Sequence, residues 1–211
     1  MSHPDLLLSD ASQANALPQP FSMRILTADD VPALMALRND VLGSLPHPDM
    51  YVRESNEAEF VRAHIGAVYG RGEGETIGVF DGHRLAAYGM LGLPSEHDAA
   101  NLGRLLGYAG SQLARVAHLA SCMVALPYRG SHLQRSLLAA RMQLAYAHGR
   151  EVCIAMVSPR NHASRVNLMR EGLRTDWTGD IDGLRRELMT IDLRASAQVR
   201  CAQRSASPKR T

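Results

Sequence analysis

The chain has 211 residues, of which 45% are hydrophobic and 21% are charged, so it is long enough to bury one sizeable core and too short for two ordinary domains. Its formal net charge is only +2, and the positive excess gathers near the C-terminus, which argues against a nucleic-acid-binding surface across the domain. No stretch approaches the roughly 20 apolar residues that a membrane span requires, so no membrane-spanning function is expected.

The cysteines indicate a reducing compartment. Cys122, Cys153 and Cys201 are an odd number without a CxxC pair, and the first two lie inside apolar runs, which predicts buried free thiols. The N-terminal MSHPDLLLSD lacks the basic region of a signal peptide. We therefore expect a soluble, cytoplasmic protein.

Both ends of the chain are polar and lack helical periodicity, which predicts flexible tails at 1–22 and 194–211, the second of them basic, around one domain at 23–193. The domain begins with MRILT, a short alternating strand. A helix is predicted next over 28–42, where apolar residues recur at helical spacing, and a second over 56–70.

A β-hairpin is the clearest local prediction. ETIGVF (75–80) and HRLAAYGMLGL (83–93) are apolar runs divided by Asp81-Gly82, a pair that readily adopts the positive φ angles of a tight turn. A polar insert at 94–114, with room for a short helix, then lengthens a connection that need only be a few residues. RVAHLASCMVAL (115–126) follows as an apolar run of strand length.

The C-terminal half predicts a strand, crossover helix, strand unit. LQRSLLAARMQLAYAHG (133–149) is an amphipathic helix that ends at glycine, and EVCIAMVS (151–158) is a buried β-branched strand. A shorter helix over 160–172 and a last strand over 184–193 follow. Together the elements predict an α/β fold with a mixed, mostly antiparallel central sheet of six to seven strands, flanked by helices.

The segment VALPYRGSHLQRSLL (124–138) joins a strand to a helix through an Arg129-Gly130 turn. The first amides of a helix have no intrahelical partners, and its N-terminus carries a partial positive charge, so such a turn can receive phosphate oxygens. Glycine at 130 would let the backbone approach a pyrophosphate closely. An ordinary strand-to-helix loop is the alternative, and this fragment alone leaves both open.

The same segment resembles the acetyl-CoA motif of the GNAT superfamily of N-acetyltransferases, V-x-P-x-Y-R-G-x-G-x-G/A ahead of a helix. Four residues match it: Val124, Tyr128, Arg129 and Gly130. The family's proline is displaced by one to Pro127, and the later small positions hold His132 and Gln134. NHASRVNLMREGL (161–173) resembles the family's following helix in its spacing from Asn to Gly, and two motifs in this order are more specific than either alone.

The resemblance implies a sheet splayed between its fourth and fifth strands, near Val124, to admit acetyl-CoA as cosubstrate. The amides that open the helix would cradle the pyrophosphate, the strand would pair with the pantetheine arm, and an arginine side chain would contact phosphates. The implied acetyl-CoA-binding residues are Met123, Val124, Leu126, Arg129, Gly130, Ser131, His132, Leu133, Gln134, Arg135, Asn161 and Ser164.

Catalysis by direct transfer needs a base, an oxyanion stabiliser and an acid for the departing thiolate. The family's acid is usually a tyrosine where this chain has Leu168, so Tyr128 or a water is expected to substitute, with packing as the other interpretation of Tyr128. The family's glutamate base is missing too, which leaves His118 as the candidate base; a hydrogen-bonded core residue is its other interpretation. The Val124 amide is the expected oxyanion donor.

The resemblance thus implies an N-acetyltransferase acting on a primary amine of a small molecule or peptide, by direct transfer in a ternary complex. Loop residues 45–54 and the insert at 94–114 are expected to border the acceptor site. No metal is expected, because the nine histidines lack ligand spacing with Cys or carboxylates. Many members of the family form a homodimer, but no interface is identifiable in this sequence. An acyl-CoA-binding sensor with weak or no catalysis is the main alternative. Nucleic-acid binding is disfavoured, since no reading helix or stacking platform is identifiable.

Overall fold

The computed structural model describes residue 17 and residues 20–51, 55–65 and 74–195, in which seven strands form one sheet. The strands are β1 (Ser22–Ile25), β2 (Gly74–Asp81), β3 (Arg84–Gly92), β4 (Val116–Val124), β5 (Val152–Val157), β6 (Arg174–Ile181) and β7 (Leu184–Asp192). The helices are α1 (Val31–Gly43), α2 (Glu57–Ala63), α3 (Leu133–Ala147) and α4 (His162–Arg170). The predicted tails lie mostly outside the described residues, and Cys201 lies wholly outside them.

The order of the strands across the sheet is β1-β2-β3-β4-β5-β7-β6. All neighbouring pairs are antiparallel except β4 and β5, which run parallel and are connected through α3. This confirms the predicted mixed, mostly antiparallel sheet and its crossover unit. The edge strand β6 was not among the strands located from the sequence, because its RTDWTGDI is polar and largely exposed and lacks an apolar alternation.

The hairpin of β2 and β3 is confirmed, with its turn one residue later than predicted. Asp81 pairs with Arg84, so Gly82 and His83 form the two-residue turn. Gly82 has a φ of +56°, a left-handed conformation that glycine adopts without steric cost. The helix predicted at 28–42 is present as α1, and α2 covers the first half of the helix predicted at 56–70, whose last residues lie outside the described ones.

Helices cover both faces of the sheet. On the first face, α1 and α2 pack on β3 through a buried cluster that includes Leu34, Val61 and Tyr88. On the second face, α3 and α4 pack on the sheet through residues such as Leu137 and Leu168. In the described part of the chain, no helix combines the length and the apolar character needed to cross a bilayer.

The insert forms two 3-10 helices, Leu102–Leu106 and Gly110–Arg115, where a short helix was expected. Its Leu102 packs with Ile154 of β5 and Leu188 of β7. Side chains alternate between the faces of a strand, and the neighbours of Ile154 face α3, so the insert lies on the first face of the sheet. It therefore continues the layer that α1 and α2 begin.

A β-bulge interrupts β4 at its centre. Leu119 pairs with Leu91 and Cys122 pairs with Gly89, so Ala120 and Ser121 of β4 lie opposite a single residue of β3. The extra residue resets the alternation of side chains. Ser121 therefore lies on the first face, where its hydroxyl accepts a hydrogen bond from α1.

The parallel strands β4 and β5 separate beyond His118. Their pairing runs only from Val116–Val152 to His118–Ile154, although β4 continues to Val124 and β5 to Val157. The unpaired lengths leave a wedge in the middle of the sheet. This confirms the predicted splay between the fourth and fifth strands and shows that it opens well before Val124.

Candidate active site

A cleft of about 1020 Å³ opens where β4 and β5 separate. Its walls come from both strands, from the insert, and from helices on both faces of the sheet. Among the residues that line it are Tyr51, Phe60, His64, Asp98, Leu105, His118, Ser121, Cys122, Gln134, Arg141, Met156, Asn161, Ser164, Leu168, Asp182 and Arg186. The cleft thus joins the two predicted regions, the acetyl-CoA motifs and the acceptor loops.

The backbone of β4 turns unpaired amides toward the wedge. The Ala125 N–H donates to the Ala86 carbonyl at 2.9 Å, so Val124 and Ala87 form a non-hydrogen-bonded pair, and the alternation makes Cys122 and Gly89 another. The N–H groups of Val124 and Cys122 therefore point away from β3. Cys122 also lines the cleft, which places its amide deeper than that of Val124.

The N-terminus of α3 offers three amides at the mouth of the wedge. Among the described residues, the backbone N–H groups of His132, Leu133 and Gln134 have no hydrogen-bond partner. The Ser131 N–H instead donates to the Tyr128 backbone carbonyl at 3.4 Å, and the Arg135 N–H donates to the His132 backbone carbonyl at 3.0 Å. The predicted cradle of amides is therefore narrower than expected.

Gly130 has a φ of +86°, and a side chain there would meet no atom within 4 Å. The restriction to glycine is therefore conformational, and the space beside the backbone is open to a ligand. Leu133 anchors the start of the helix in the core, whereas Leu126 is exposed. The loop thus presents backbone outward over a fixed helix end.

The arginine side chains of the motif are engaged with protein partners. Arg135 forms an ion pair with Glu171 at 2.7 Å, and the Arg129 guanidinium donates to Ser44 at 3.3 Å from an exposed position. Arg129 keeps donors that face solvent, so of the two it is better placed for a phosphate contact. Arg135 stabilises the packing of α3 against the end of α4.

Tyr128, the predicted acid, does not line the cleft. Its hydroxyl donates to the Asp81 carboxylate at 2.9 Å, and its ring packs edge-on against Phe21 at 5.7 Å. The hydrogen bond to Asp81 raises the pKa of Tyr128. The contacts favour the packing interpretation, in which Tyr128 ties the loop before α3 to the β2–β3 turn.

Asn161 and Ser164 lie at the start of α4, on the wall of the cleft. The Asn161 side-chain oxygen Oδ1 accepts from the Ser164 N–H at 3.1 Å and so caps the helix. The Ser164 hydroxyl accepts from Gln134 at 3.1 Å, and Asn167 donates to Gln134 at 2.7 Å. This network connects the two motif helices and leaves the Asn161 side-chain NH₂ and the Ser164 O–H as donors for a ligand.

Two histidines of the cleft have opposite hydrogen-bonding roles. The Leu102 N–H donates to Nε2 of His118 at 3.1 Å, so that nitrogen has no lone pair left to take a proton. Burial lowers the pKa of His118 to about 4. Nδ1 of His64 lies 2.9 Å from the Phe60 carbonyl, which can only accept, so Nδ1 carries the proton and Nε2 of the neutral ring carries a lone pair.

These contacts favour the core interpretation of His118, and they identify His64 as a second imidazole that the sequence analysis did not consider for catalysis. His64 lies within the helix predicted at 56–70, on its apolar face. The signal that could have singled it out is that it is titratable on an otherwise apolar face; the structure places it at the end of α2.

A buried polar network lies beside the cleft on the first face. Arg38 of α1 forms an ion pair with Glu57 and donates to Tyr88 at 3.1 Å and Ser121 at 2.9 Å. Its guanidinium also lies 4.9 Å from the ring centroid of Tyr51. The network fixes the bulge of β4 to both helices and orders an aromatic wall of the cleft.

Cys122 and Cys153 are free thiols in the sheet, as predicted. Burial raises the pKa of Cys122, and raises that of Cys153 to about 12. Both are therefore protonated at neutral pH, and neither is suited to act as a nucleophile. Across the described ranges, no three His, Cys, Asp or Glu side chains gather into a metal-binding group.

Solved structures resemble this fold over most of the chain. The yncA protein of Salmonella typhimurium, solved with its cofactor acetyl-CoA, has a TM-score of 0.63 at 15% identity. The match covers 83% of this chain and 95% of yncA. A GNAT-family acetyltransferase of Streptococcus pneumoniae has a TM-score of 0.59 at 16% identity, covering 82% and 98%. A ribosomal-protein-alanine N-acetyltransferase of Brucella melitensis has a TM-score of 0.62 at 20% identity, covering 81% and 99%.

No family model matches the sequence, and no curated protein matches it. The similarity therefore resides in the three-dimensional structure. The chain has the fold of the GNAT acetyltransferases, which confirms the family resemblance at the level of the fold.

Proposed function

We propose that this protein is an acetyl-CoA-dependent N-acetyltransferase that moves an acetyl group to a primary amine in a ternary complex. The observation that carries the proposal is the wedge between β4 and β5, with the Cys122 and Val124 amides on its edge and the amides of α3 at its mouth. A fold alone supports many chemistries, and this arrangement of donors is what makes acyl transfer the best-supported one.

The residues present fit acetyl-CoA. A pantetheine arm has two amide groups that need backbone partners, and the exposed edge of β4 supplies them in the manner of an added strand. The unpaired amides of His132, Leu133 and Gln134, beside the open backbone of Gly130, suit a pyrophosphate. When bound, acetyl-CoA supplies the activated acetyl group as a thioester.

Transfer forms a bond between the amine nitrogen and the acyl carbon and breaks the C–S bond, so CoA leaves as the thiol and the amine loses one proton. Negative charge develops on the acyl oxygen during this step. The Cys122 N–H is the deeper of the two that face the wedge, and we assign it the role of stabilising this charge. The Val124 N–H, which was expected in that role, would instead bind the pantetheine arm.

His64 is the base that best suits this geometry. Its Nε2 lone pair is free in the tautomer that the Phe60 carbonyl selects, and the ring lines the cleft. His118, the base considered from sequence, has its Nε2 occupied by the Leu102 amide. A proton from the amine would therefore pass to Nε2 of His64, directly or through one water.

A sensor that binds acyl-CoA with little turnover is the second candidate, and one observation favours it. Leu168 lines the cleft at the position where the family usually has the tyrosine that acts as general acid. Tyr128 is hydrogen-bonded to Asp81 outside the cleft. No protein acid is thus assigned to the departing thiolate. The CoA thiolate is a good leaving group, and we expect water to protonate it in a working enzyme.

The test is calorimetric titration with acetyl-CoA and CoA, paired with release of free thiol over amino acids, polyamines, aminoglycosides and peptides. Binding together with amine-dependent thiol release is the expected result. Binding without release over the panel would favour the sensor. The absence of binding would refute the proposed function.

A further inference from the structure

Among the described residues, three arginines are buried, and they differ in how their charges are compensated. Arg38, Arg141 and Arg186 are 0%, 2% and 2% exposed. A guanidinium stays protonated when buried, so it needs a partner that offsets its desolvation. Arg38 has the Glu57 carboxylate, whereas Arg141 and Arg186 donate only to backbone carbonyls and both line the cleft.

Arg141 has a structural explanation. Its Nη1 donates to the carbonyl of the bulge residue Ala120 at 3.2 Å and to that of Met90, which lies opposite the bulge on β3, at 3.1 Å. Its Nε donates to the Leu137 carbonyl at 3.2 Å. A cation that spans a bulge satisfies acceptors that the ladder cannot. Arg141 therefore clamps the strand from which the wedge begins.

Arg186 of β7 has no comparable set of contacts. Its Nη1 donates to the carbonyls of Asp49 at 2.8 Å and Arg185 at 3.2 Å. Its Nη2 is buried and has no hydrogen-bond partner among the residues that the structure describes, and neither of the bonds that hold the side chain uses Nε. The Nε–Nη2 edge of a guanidinium is one of its two edges that bind a carboxylate through parallel hydrogen bonds.

The carboxylates nearby do not fill that edge. Asp49, whose charge acts on Arg186, forms its ion pair with the exposed Arg160 at 3.3 Å. Burial lowers the pKa of Arg186 and is the largest influence on it. A buried donor left without a partner is destabilising, and a bound anion would offset that cost.

The same cleft exposes large apolar side chains. Leu105 of the insert is 44% exposed and Met156 of β5 is 38% exposed, and both line the cleft with the aromatic rings of Tyr51 and Phe60. Apolar side chains of this size in a concave site are suited to an apolar portion of a ligand.

We propose that the acceptor is an amine with a carboxylate group on an apolar body, such as an apolar amino acid, and that Arg186 binds its carboxylate. This rests on the proposed acetyl transfer and adds the class of acceptor. Arg186 is then a specificity residue, since it holds the acceptor by a group that does not react.

The experiment uses reaction products, so that differences in amine basicity do not enter. Binding of N-acetyl-leucine, N-acetylmethionine and N-acetylphenylalanine would be measured by calorimetry in the presence of CoA, each against its uncharged N-acetyl amide. We expect at least one acid to bind about tenfold to a hundredfold more tightly than its amide, the range for a hydrogen-bonded charge pair. N-acetylated aminoalkylphosphonates would show whether another anion substitutes.

Arg186→Met should remove the preference for acid over amide, and Arg186→Lys should retain part of it. Because Arg186 also holds the Asp49 carbonyl, Arg160→Met is the matched control: it removes the other contact of Asp49 and leaves the guanidinium of Arg186 in place. The control should keep the preference. Equal loss in both variants would assign the effect to the loop and overturn the proposal.

An error in the proposed function and an error in the acceptor class give different results. If acetyl-CoA does not bind, the proposed function is wrong. If acetyl-CoA binds and thiol is released with amines, but no acid binds more tightly than its amide, only the class of acceptor is wrong. A preference for polyamines, which Asp98 and Asp182 of the cleft would attract, would overturn it in the same way.

Discussion

The two histidines of the cleft allow a matched test of the base, because each can be replaced while its hydrogen bond is kept. Asparagine at 64 places an amide N–H where Nδ1 donates to Phe60 and removes Nε2. Glutamine at 118 places an amide oxygen where Nε2 accepts from Leu102. Both changes remove an imidazole and leave the local contact in place.

We expect His64→Asn to lower kcat/KM for the amine by roughly 10²–10⁴-fold, the usual contribution of a positioned base. That corresponds to about 3–5 kcal/mol of activation free energy. His118→Gln should change kcat/KM by no more than about threefold, because its ring nitrogen is already occupied.

The assay is release of free thiol from acetyl-CoA over a range of pH, with single-turnover measurements to separate chemistry from product release. Circular dichroism and the affinity for acetyl-CoA serve as controls and should be unchanged in both variants. The reverse pattern, an active His64→Asn and an inactive His118→Gln, would refute the assignment and restore His118 as the base.

Three further predictions concern the fold around the site. Gly130→Val should weaken acetyl-CoA binding at least about tenfold, because the left-handed backbone costs a non-glycine residue roughly 1–2 kcal/mol and a branched side chain fills the open space, as calorimetry would show. Glu57→Gln should lower the free energy of unfolding in urea by about 2–3 kcal/mol, because it leaves the buried charge of Arg38 without its carboxylate. The protein should lose stability as pH falls from about 6.5 toward 4, by roughly 3 kcal/mol at most, because His118 takes up its proton more readily when unfolded; unfolding at several pH values checks this.

Controls make these outcomes decisive. Gly149→Val strains a backbone with a φ of +72° at the other end of α3, and it should leave acetyl-CoA affinity unchanged; equal weakening would mean that strain alone is responsible. Glu59→Gln changes an exposed charge on α2 and should alter stability by less than about 0.5 kcal/mol. His118→Gln should flatten the pH dependence of stability, and a persistent slope would assign it to other groups.

The regular elements were predictable because each has a local cause. The hairpin follows from the short polar turn between two apolar runs, and α3 from an apolar stripe that ends at Gly149. The wedge between β4 and β5 was predicted only through the family resemblance. Its direct cause, that pairing stops at His118, depends on registers between strands that are distant in sequence.

The parts of the site that were missed share another cause. Arginine is ordinarily a surface residue, so nothing in the sequence indicates that Arg38 and Arg186 are buried beside the cleft. The bulge at Ala120 and Ser121 depends on a one-residue mismatch between β3 and β4. Burial and hydrogen-bond partners are properties of the assembled fold, and they decide which of two histidines keeps a free nitrogen.

Amide hydrogen exchange, followed by NMR with and without saturating acetyl-CoA, is the direct test of whether the wedge binds acetyl-CoA. We expect new protection at the amides of Cys122, Val124 and Leu133, which face the wedge or open α3. The Met123 amide, which faces β3, serves as the internal reference and should change little. Binding of acetyl-CoA without protection at these amides, or no binding at all, would contradict the assignment of the wedge as the acetyl-CoA site.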